Sequence, residues 1–230
     1  MPQAEPKEPN IPWPAMTRFV SQLNHDLRNH LNAIELQCAV LKDLVEEPEA
    51  GNEIQRLREL TGQLEADLQK LCDLLAKIRL TTMTYQAREF VEDLRAKLER
   101  EQTEEAAAIE WKGSLGAEAF EIDPQLLLQA FAELFGNAFT HGRSEGTIVF
   151  EARKAGDAIE FSLSEPKAGF DIATENWGAR PFERIRHGHY GLGLFRARSI
   201  FEAHHGTFRA EFDPAASLLV TTINLPRLVL

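Results

Sequence analysis

A histidine followed by an acid on a predicted helix is the clearest candidate for chemistry in this sequence. His25 lies two positions from both Leu23 and Leu27 in an amphipathic stretch, so it should face away from the apolar seam, toward water. A carboxylate beside it, Asp26, raises the nucleophilicity of the imidazole, which can then accept a transferred group. Taken alone, His25 is better explained as a solvated surface histidine. The seam consists of Val20, Leu23, Leu27, Leu31, Ile34, Cys38, Leu41 and Val45.

A second polar pair lies within a predicted helix over residues 123–139. Glu133 and Asn137 are four positions apart, so they project from the same face of that helix. An amide oxygen can ligate Mg²⁺, and a nearby carboxylate can orient a water or a hydroxyl group. Taken alone, the pair is better explained as the polar edge of an otherwise apolar helix.

A glycine-containing segment precedes the next predicted helix, Gly193–His204. It reads His189-Tyr190-Gly191-Leu192-Gly193-Leu194. Glycines before a helix let backbone N–H groups approach phosphates, and the helix N-terminus favours their negative charge. A single Gly-x-Gly is weak evidence, because it is also typical of a tight loop.

In this order, these segments resemble the motifs of two-component sensor histidine kinases. The resemblance extends over about residues 16–226 and implies a helical hairpin for dimerisation and phosphotransfer, followed by an ATP-binding domain of the Bergerat type. It rests on five segments: Leu23–Ile34 resembles the H-box, Leu128–His141 the N-box, Pro181–Arg184 the F-box, Tyr190–Leu194 the second glycine box, and Ala203–Phe208 the segment after it.

The resemblance implies a role for each matching residue. In the hairpin, His25 is the phosphoacceptor, Asp26 is its general base, and Asn29 occupies the family's phosphatase position. In the ATP-binding domain, Asn137 is the Mg²⁺ ligand, with Glu133 as a catalytic residue beside it. The residues implied to bind ATP are Asn137, His141, Glu165, Gly169, Gly191, Leu192, Gly193 and Leu194.

Three positions depart from the family's pattern. His30 stands where the family usually has a proline, five residues after the phosphoacceptor. The adenine-reading box, usually Asp-x-Gly-x-Gly, reads Glu165-Pro166-Lys167-Ala168-Gly169 here. Glu165 can still accept from the adenine amino group, but Lys167 replaces a glycine where the backbone must be flexible. His189 replaces the first glycine of the second glycine box, and the segment 185–188 is short for an ATP lid.

The hydrophobic pattern divides the chain into a tail, a helical hairpin and a mixed domain. Residues 1–13 are rich in proline and charge and are expected to be a flexible tail. An antiparallel hairpin over 14–80, broken at 46–52, has one apolar stripe on each helix, so we expect a homodimeric four-helix bundle that covers both stripes. Residues 81–87 are polar and predicted to be a linker. Residues 88–230 mix strands and helices, which predicts an α+β fold with an α/β-sandwich catalytic domain.

Composition restricts the class of partner. The formal net charge of −11 argues against nucleic acid or an anionic membrane. No apolar run could span a bilayer and no signal peptide is recognisable, so we expect a cytoplasmic protein. Its signal would then arrive from a separate sensor partner or from a segment outside this sequence. Cys38 and Cys72 lie on apolar stripes and are expected to be buried thiols rather than a disulfide or metal site.

The leading hypothesis is a protein histidine kinase that requires ATP and Mg²⁺. It would phosphorylate its own His25 and pass the phosphate to an aspartate of a response-regulator receiver domain. The altered adenine box favours an alternative, a histidine phosphotransferase of a phosphorelay whose kinase-like domain binds ATP weakly or not at all. Asn137 and the Gly-Leu-Gly-Leu run oppose that alternative. A non-catalytic scaffold is disfavoured, because a scaffold has no need of His25, Asp26 and Asn29 together.

Overall fold

The computed structural model of the 230-residue chain describes residues 12–45, 47–140, 144, 146–170, 173–182 and 191–228. The chain divides into two compact units, one that ends at Lys77 and one that begins at Ile78. Across the described residues, no helix is both long enough and apolar enough to cross a membrane.

The first unit is a pair of packed helices, α1 (Trp13–Leu44) and α2 (Pro48–Leu75). The break between them is shorter than the predicted 46–52, because α2 already begins at Pro48. Proline suits the first turn of a helix, where its missing N–H would have had no partner. Trp13, the last residue of the predicted tail, is the first residue of α1, and residues 1–11 of that tail lie outside the described residues.

The seam of α1 is only partly covered by α2. Leu31 and Cys38 are buried, whereas Leu23, Ile34 and Leu41 are more than 40% exposed. A helix of this width meets a single neighbour along one strip, so the rest of its apolar stripe stays in water. Leucines of α2 add to this surface, and the exposed set on both helices is Phe19, Leu23, Ile34, Leu36, Val40, Leu41, Leu44, Leu57, Leu60 and Leu64. Cys38 is buried as predicted, but Cys72 is only half-buried.

Within the described residues, the second unit combines four α-helices with two sheets. Its helices are α3 (Ala87–Glu101), α4 (Thr103–Ala106), α5 (Pro124–Thr140) and α6 (Gly193–Ala203). Its strands are β1 (Met83–Gln86), β2 (Ile109–Lys112), β3 (Ala119–Ile122), β4 (Ile148–Ala155), β5 (Ala158–Pro166), β6 (Thr207–Asp213) and β7 (Leu218–Pro226).

The main sheet has the strand order β2-β4-β5-β7-β6. Strand β2 pairs with β4 in parallel, and the other neighbours are antiparallel. Along β5, every second residue from Ile159 to Glu165 is buried, so one face of the sheet carries the core. Buried residues of α3, α5 and α6 cover that face. The predicted α+β fold is confirmed.

Fully buried phenylalanines fill the space between helices and sheet. Phe131 on α5 is central, with its ring centroid 5.2 Å from that of Phe161 on β5 and 5.0 Å from that of Phe201 on α6. Such tilted and edge-to-face pairs add to the apolar area that each ring buries. This packing holds α5 and α6 firmly against the sheet, and it positions the polar residues on both helices.

The predicted linker 81–87 is wrong for most of its length. Met83–Gln86 forms β1, which pairs with β3 in a separate two-stranded sheet, and Ala87 begins α3. Three of the four β1 side chains are exposed, so the strand lacks the apolar alternation that would have revealed it. The backbone N–H of Thr81 donates to Asp123 Oδ2 at 2.9 Å, which also fastens this segment to the second unit.

Candidate functional site

His25 lies on an exposed face of α1 beside two polar neighbours. Its side chain is 70% exposed, and its Nδ1 lies 3.3 Å from Asp26 Oδ1 and 3.5 Å from Asn29 Nδ2. Gln22 Nε2 donates to the same Asp26 oxygen at 2.9 Å, so the carboxylate is held in place. The exposure that the apolar seam predicts for His25 is confirmed.

The position of Asp26 favours one tautomer of His25. A carboxylate can only accept hydrogen bonds, so its approach to Nδ1 favours the form in which Nδ1 carries the proton. The lone pair is then on Nε2, for which the described residues supply no hydrogen-bond partner. Nε2 is therefore the ring atom that can act as a nucleophile.

A second group of polar residues lies where α5 meets the start of α6. Glu133 and Asn137 are both half-buried on α5. Gly193, the first residue of α6, lies against Glu133, and a β-carbon at Gly193 would collide with Glu133 Oε2. The fold thus brings the carboxylate of α5 to the glycine segment that precedes α6.

The N-terminus of α6 carries no competing negative charge of its own. Its first turn contains no acidic residue, and no described side chain caps it. Gly191 has φ +65°, a conformation that favours glycine. Leu192 is 1% exposed and Leu194 packs against the core, so these two residues could offer a phosphate only their backbone N–H groups.

Glu165 forms a buried ion pair that sequence reasoning missed. Lys167 Nζ lies 2.9 Å from Glu165 Oε2, and the two side chains are 6% and 2% exposed. Burial raises the pKa of the Glu165 carboxyl, and the nearby Lys167 ammonium only partly offsets this rise. The acid implied to read adenine therefore has a cationic partner within its own chain.

Two buried hydroxyl groups belong to residues that contact or pair with the end of β5, near Glu165 and Lys167. Ser144 donates its N–H to the carbonyl of Pro166 at 3.1 Å. Thr221 on β7 is opposite Leu163 in the register and is fully buried. Neither Ser144 Oγ nor Thr221 Oγ1 has a hydrogen-bond partner among the described residues. Because buried hydroxyls are normally bonded, both are available to a ligand or a water.

Sequence reasoning missed both hydroxyls, although one of them leaves a signal. Thr221 is a polar residue in the buried phase of β7, which otherwise holds Leu219, Ile223 and Leu225. Such a break in an alternating pattern marks a candidate site residue. Ser144 lies in a loop without periodicity, and its burial depends on the strand that it meets.

Residues 122–227 match the family described as histidine kinase-, DNA gyrase B- and HSP90-like ATPases. The sensor protein SphS of Synechococcus elongatus is 28% identical over 241 residues, which cover 91% of this chain and 54% of SphS. The sensor histidine kinase ZraS of Klebsiella oxytoca is 25% identical over 213 residues, which cover 90% of this chain and 45% of ZraS. The chain is therefore similar to sensor histidine kinases over about nine-tenths of its length.

Solved structures of histidine kinases have the same fold as this chain. Full-length ShkA in complex with AMPPNP aligns with a TM-score of 0.67 at 18% identity, over 93% of this chain and 46% of ShkA. The histidine kinase ThkA in complex with the response regulator TrrA aligns with a TM-score of 0.53 at 18% identity, over 91% of this chain and 61% of that chain. The chain spans about half the length of the curated relatives that it matches.

The residues of this region suit a nucleoside triphosphate with a metal ion. The α6 N-terminus suits phosphate oxygens, and the unpartnered hydroxyls of Ser144 and Thr221 suit a polar ligand. Asn137 and Glu133 supply oxygen ligands of the type that Mg²⁺ prefers. The described residues contain no cluster of three or more His, Cys, Asp or Glu that could hold a metal ion.

Some predicted site residues lie outside the described residues or have no visible steric role. His141, the second half of the F-box (Glu183 and Arg184) and Tyr190 are outside the described ranges. Gly169 is exposed, and a β-carbon there would meet nothing within 4 Å. The structure thus gives no steric reason for glycine at position 169.

Proposed function

We propose that this chain uses ATP to phosphorylate Nε2 of its own His25 and then passes the phosphate to an aspartate of a response-regulator receiver domain. The observation that carries this proposal is the exposed imidazole whose Nδ1 faces Asp26, which leaves the lone pair on Nε2. Similarity to sensor histidine kinases and the ATPase match over 122–227 support ATP as the phosphate donor. The complex of ThkA with a response regulator supports the proposed partner.

The proton and phosphate can be followed atom by atom. The Nε2 lone pair of His25 forms a bond to the γ-phosphorus, and the bond from that phosphorus to the bridging oxygen breaks as ADP leaves. Positive charge develops on the imidazole, and Asp26 Oδ1 accepts the Nδ1 proton. In the second step a receiver aspartate attacks the phosphorus, the N–P bond breaks, and the imidazole recovers its proton.

The second unit would bind the nucleotide and orient its phosphates. Backbone N–H groups at Gly193 and Leu194 would receive phosphate oxygens, since the first N–H groups of a helix have no partner within it. Asn137 would hold Mg²⁺, which neutralises phosphate charge when bound. Glu133, beside Gly193, would orient Asn137 or a metal-bound water from the same face of α5.

A homodimer through the hairpin is part of the proposal. Apart from Leu36, which lies on the side of His25, the exposed apolar residues of α1 and α2 form a surface that a single chain leaves in water. A second copy of the hairpin carries the same surface, so a two-fold arrangement of four helices would cover both.

The buried ion pair favours one alternative function, a histidine phosphotransferase whose nucleotide site has lost activity. Lys167 already engages the Glu165 carboxylate that adenine would need. Under this alternative, His25 receives phosphate from a phosphorylated receiver domain instead of ATP. Measurable phosphorylation by Mg-ATP separates the two functions.

The test is to incubate the full chain with radiolabelled Mg-ATP and to map the label. We expect label on His25 that is lost in acid and retained in alkali, as for a phosphoramidate. His25→Gln should abolish labelling, and His30→Gln, an exposed histidine on the same helix, should retain it. Label that persists in His25→Gln would refute the acceptor. Unlabelled wild type that nevertheless takes phosphate from a phosphorylated receiver would establish the phosphotransferase.

A further inference from the structure

We propose that Lys167 determines nucleobase specificity, because its ammonium beside Glu165 lets the site accept the carbonyl of guanine as well as the amino group of adenine. This inference rests on the proposed binding of a nucleotide by residues 122–227. It concerns which purine is selected and does not depend on the identity of the phosphoacceptor.

The two charged groups are held side by side by the end of β5. Glu165 continues the buried phase of that strand after Phe161 and Leu163, and Lys167 follows two residues later on the same side. The Lys167 backbone N–H donates to the carbonyl of Ser217 at 2.9 Å, which fixes the start of its side chain. Both side chains are more than nine-tenths buried, with Nζ and Oε2 2.9 Å apart.

Hydrogen-bond polarity links this pair to base selection. Adenine presents an amino donor beside a ring-nitrogen acceptor, and guanine presents a carbonyl acceptor beside an N–H donor. A carboxylate alone only accepts, so it favours the adenine amino group and repels the guanine carbonyl. An ammonium only donates. Together, Glu165 and Lys167 offer one acceptor and one donor, which can match either purine edge.

The neighbouring hydroxyls do not impose a choice of their own. Ser144 Oγ and Thr221 Oγ1 are buried and without partners among the described residues. A hydroxyl can rotate to donate or to accept, so each can serve adenine or guanine equally well. Selection between purines is therefore left to Glu165 and Lys167.

The experiment compares the dissociation constants of Mg-ATP and Mg-GTP for the full chain by titration calorimetry. We expect wild type to bind the two nucleotides within about tenfold of each other. Lys167→Met should shift the ratio toward ATP by about tenfold or more, the usual effect of one hydrogen bond to a charged group. Removal of Lys167 raises the pKa of the Glu165 carboxyl further, so the titrations use alkaline buffer, which favours its ionised form. Lys154→Met, at an exposed position of β4, is the matched control and should leave the ratio unchanged.

A second variant covers the case in which Lys167→Met does not fold, since it leaves a buried carboxylate without its cation. Lys167→Gln removes the charge but keeps an N–H donor that can reach Glu165 or a base carbonyl. Because a neutral donor forms a weaker hydrogen bond than an ammonium, the ratio should shift in the same direction by a smaller factor. Equal changes in both dissociation constants would show a purely structural role and overturn the inference. A wild-type dissociation constant for Mg-GTP more than about a hundredfold above that for Mg-ATP would also overturn the inference. Because ATP still binds in that case, the proposed function would stand. If neither wild type nor any of the variants binds either nucleotide, both this inference and the proposed function are overturned.

Discussion

Gly193 at the start of α6 lies so close to Glu133 on α5 that a β-carbon at Gly193 would collide with Glu133 Oε2. The φ angle of Gly193 is outside the left-handed region that favours glycine, so space is the reason for glycine here. This close approach puts a carboxylate beside the first free N–H groups of α6. Any larger residue at position 193 must move that carboxylate.

We expect Gly193→Ala to weaken Mg-ATP binding about tenfold or more while the domain stays folded. The methyl group would displace the tip of Glu133, a flexible side chain that can move at little cost to the fold. Titration calorimetry and thermal unfolding report the two effects separately. Gly62→Ala in α2, where a β-carbon meets nothing within 4 Å, is the control and should leave nucleotide binding unchanged. If Gly193→Ala binds Mg-ATP with wild-type affinity, Gly193 takes no part in nucleotide binding.

We expect Ile34→Asp to convert the dimer to a monomer. Ile34 is 46% exposed in the single chain, and burial of an unpaired carboxylate in an interface costs on the order of several kcal/mol. Leu36 is 65% exposed but lies about 200° further round the helix, on the side of His25. Leu36→Asp should therefore remain dimeric and instead slow phosphate transfer to the regulator. Light scattering measures the molar mass of each protein in solution. A monomeric wild type would contradict the proposed homodimeric four-helix bundle.

We expect Asn29→Ala to keep autophosphorylation of His25 but to slow dephosphorylation of the partner regulator by about tenfold or more. Asn29 is one turn after His25, and its amide reaches 3.5 Å from His25 Nδ1. An amide can both donate and accept, so it can orient a water toward a phosphoaspartate. Phosphate release from purified phospho-regulator in the presence of ADP measures this activity. Equal rates of phosphate release for variant and wild type would show that Asn29 is a solvated surface residue without a role in this activity. A parallel loss of autophosphorylation would show that it shapes the acceptor site around His25.

We expect Tyr85→Phe to lower the stability of the second unit by about 1 kcal/mol or less. Tyr85 Oη donates to Asp93 Oδ2 at 2.5 Å, which ties β1 to α3, and this hydrogen bond raises the pKa of Tyr85 to about 12. The bond favours the neutral phenol, so its contribution is complete below pH 10 and is lost as the pH rises from about 10 to about 12. Ultraviolet titration should show one of the two tyrosines ionising late, and Tyr85→Phe should abolish that late step. Ionisation of both tyrosines near pH 10 would contradict the hydrogen bond between Tyr85 and Asp93.

Local periodicity was enough to predict most of the elements and the exposure of His25. The spacing of Leu23 and Leu27 placed His25 off the seam, because the face of a helical residue depends only on its position in a 3.6-residue turn. Residues 147–153 and 158–163 alternate in the way typical of paired strands, and they form most of β4 and β5. The resemblance to sensor histidine kinases followed from the order of motifs, since each motif lies within a few neighbouring residues.

Tertiary packing decided the features that join distant parts of the chain. Strand β1 exists because β3 pairs with it, although its own side chains are largely exposed. The contact of Glu133 with Gly193 depends on the packing of α5 against α6 around Phe131 and Phe201. The sequence alone determined which residue types were available and on which face of an element each lies. Only the fold decided that the Glu165 carboxylate is buried, because burial depends on what covers a residue and not on its neighbours in sequence.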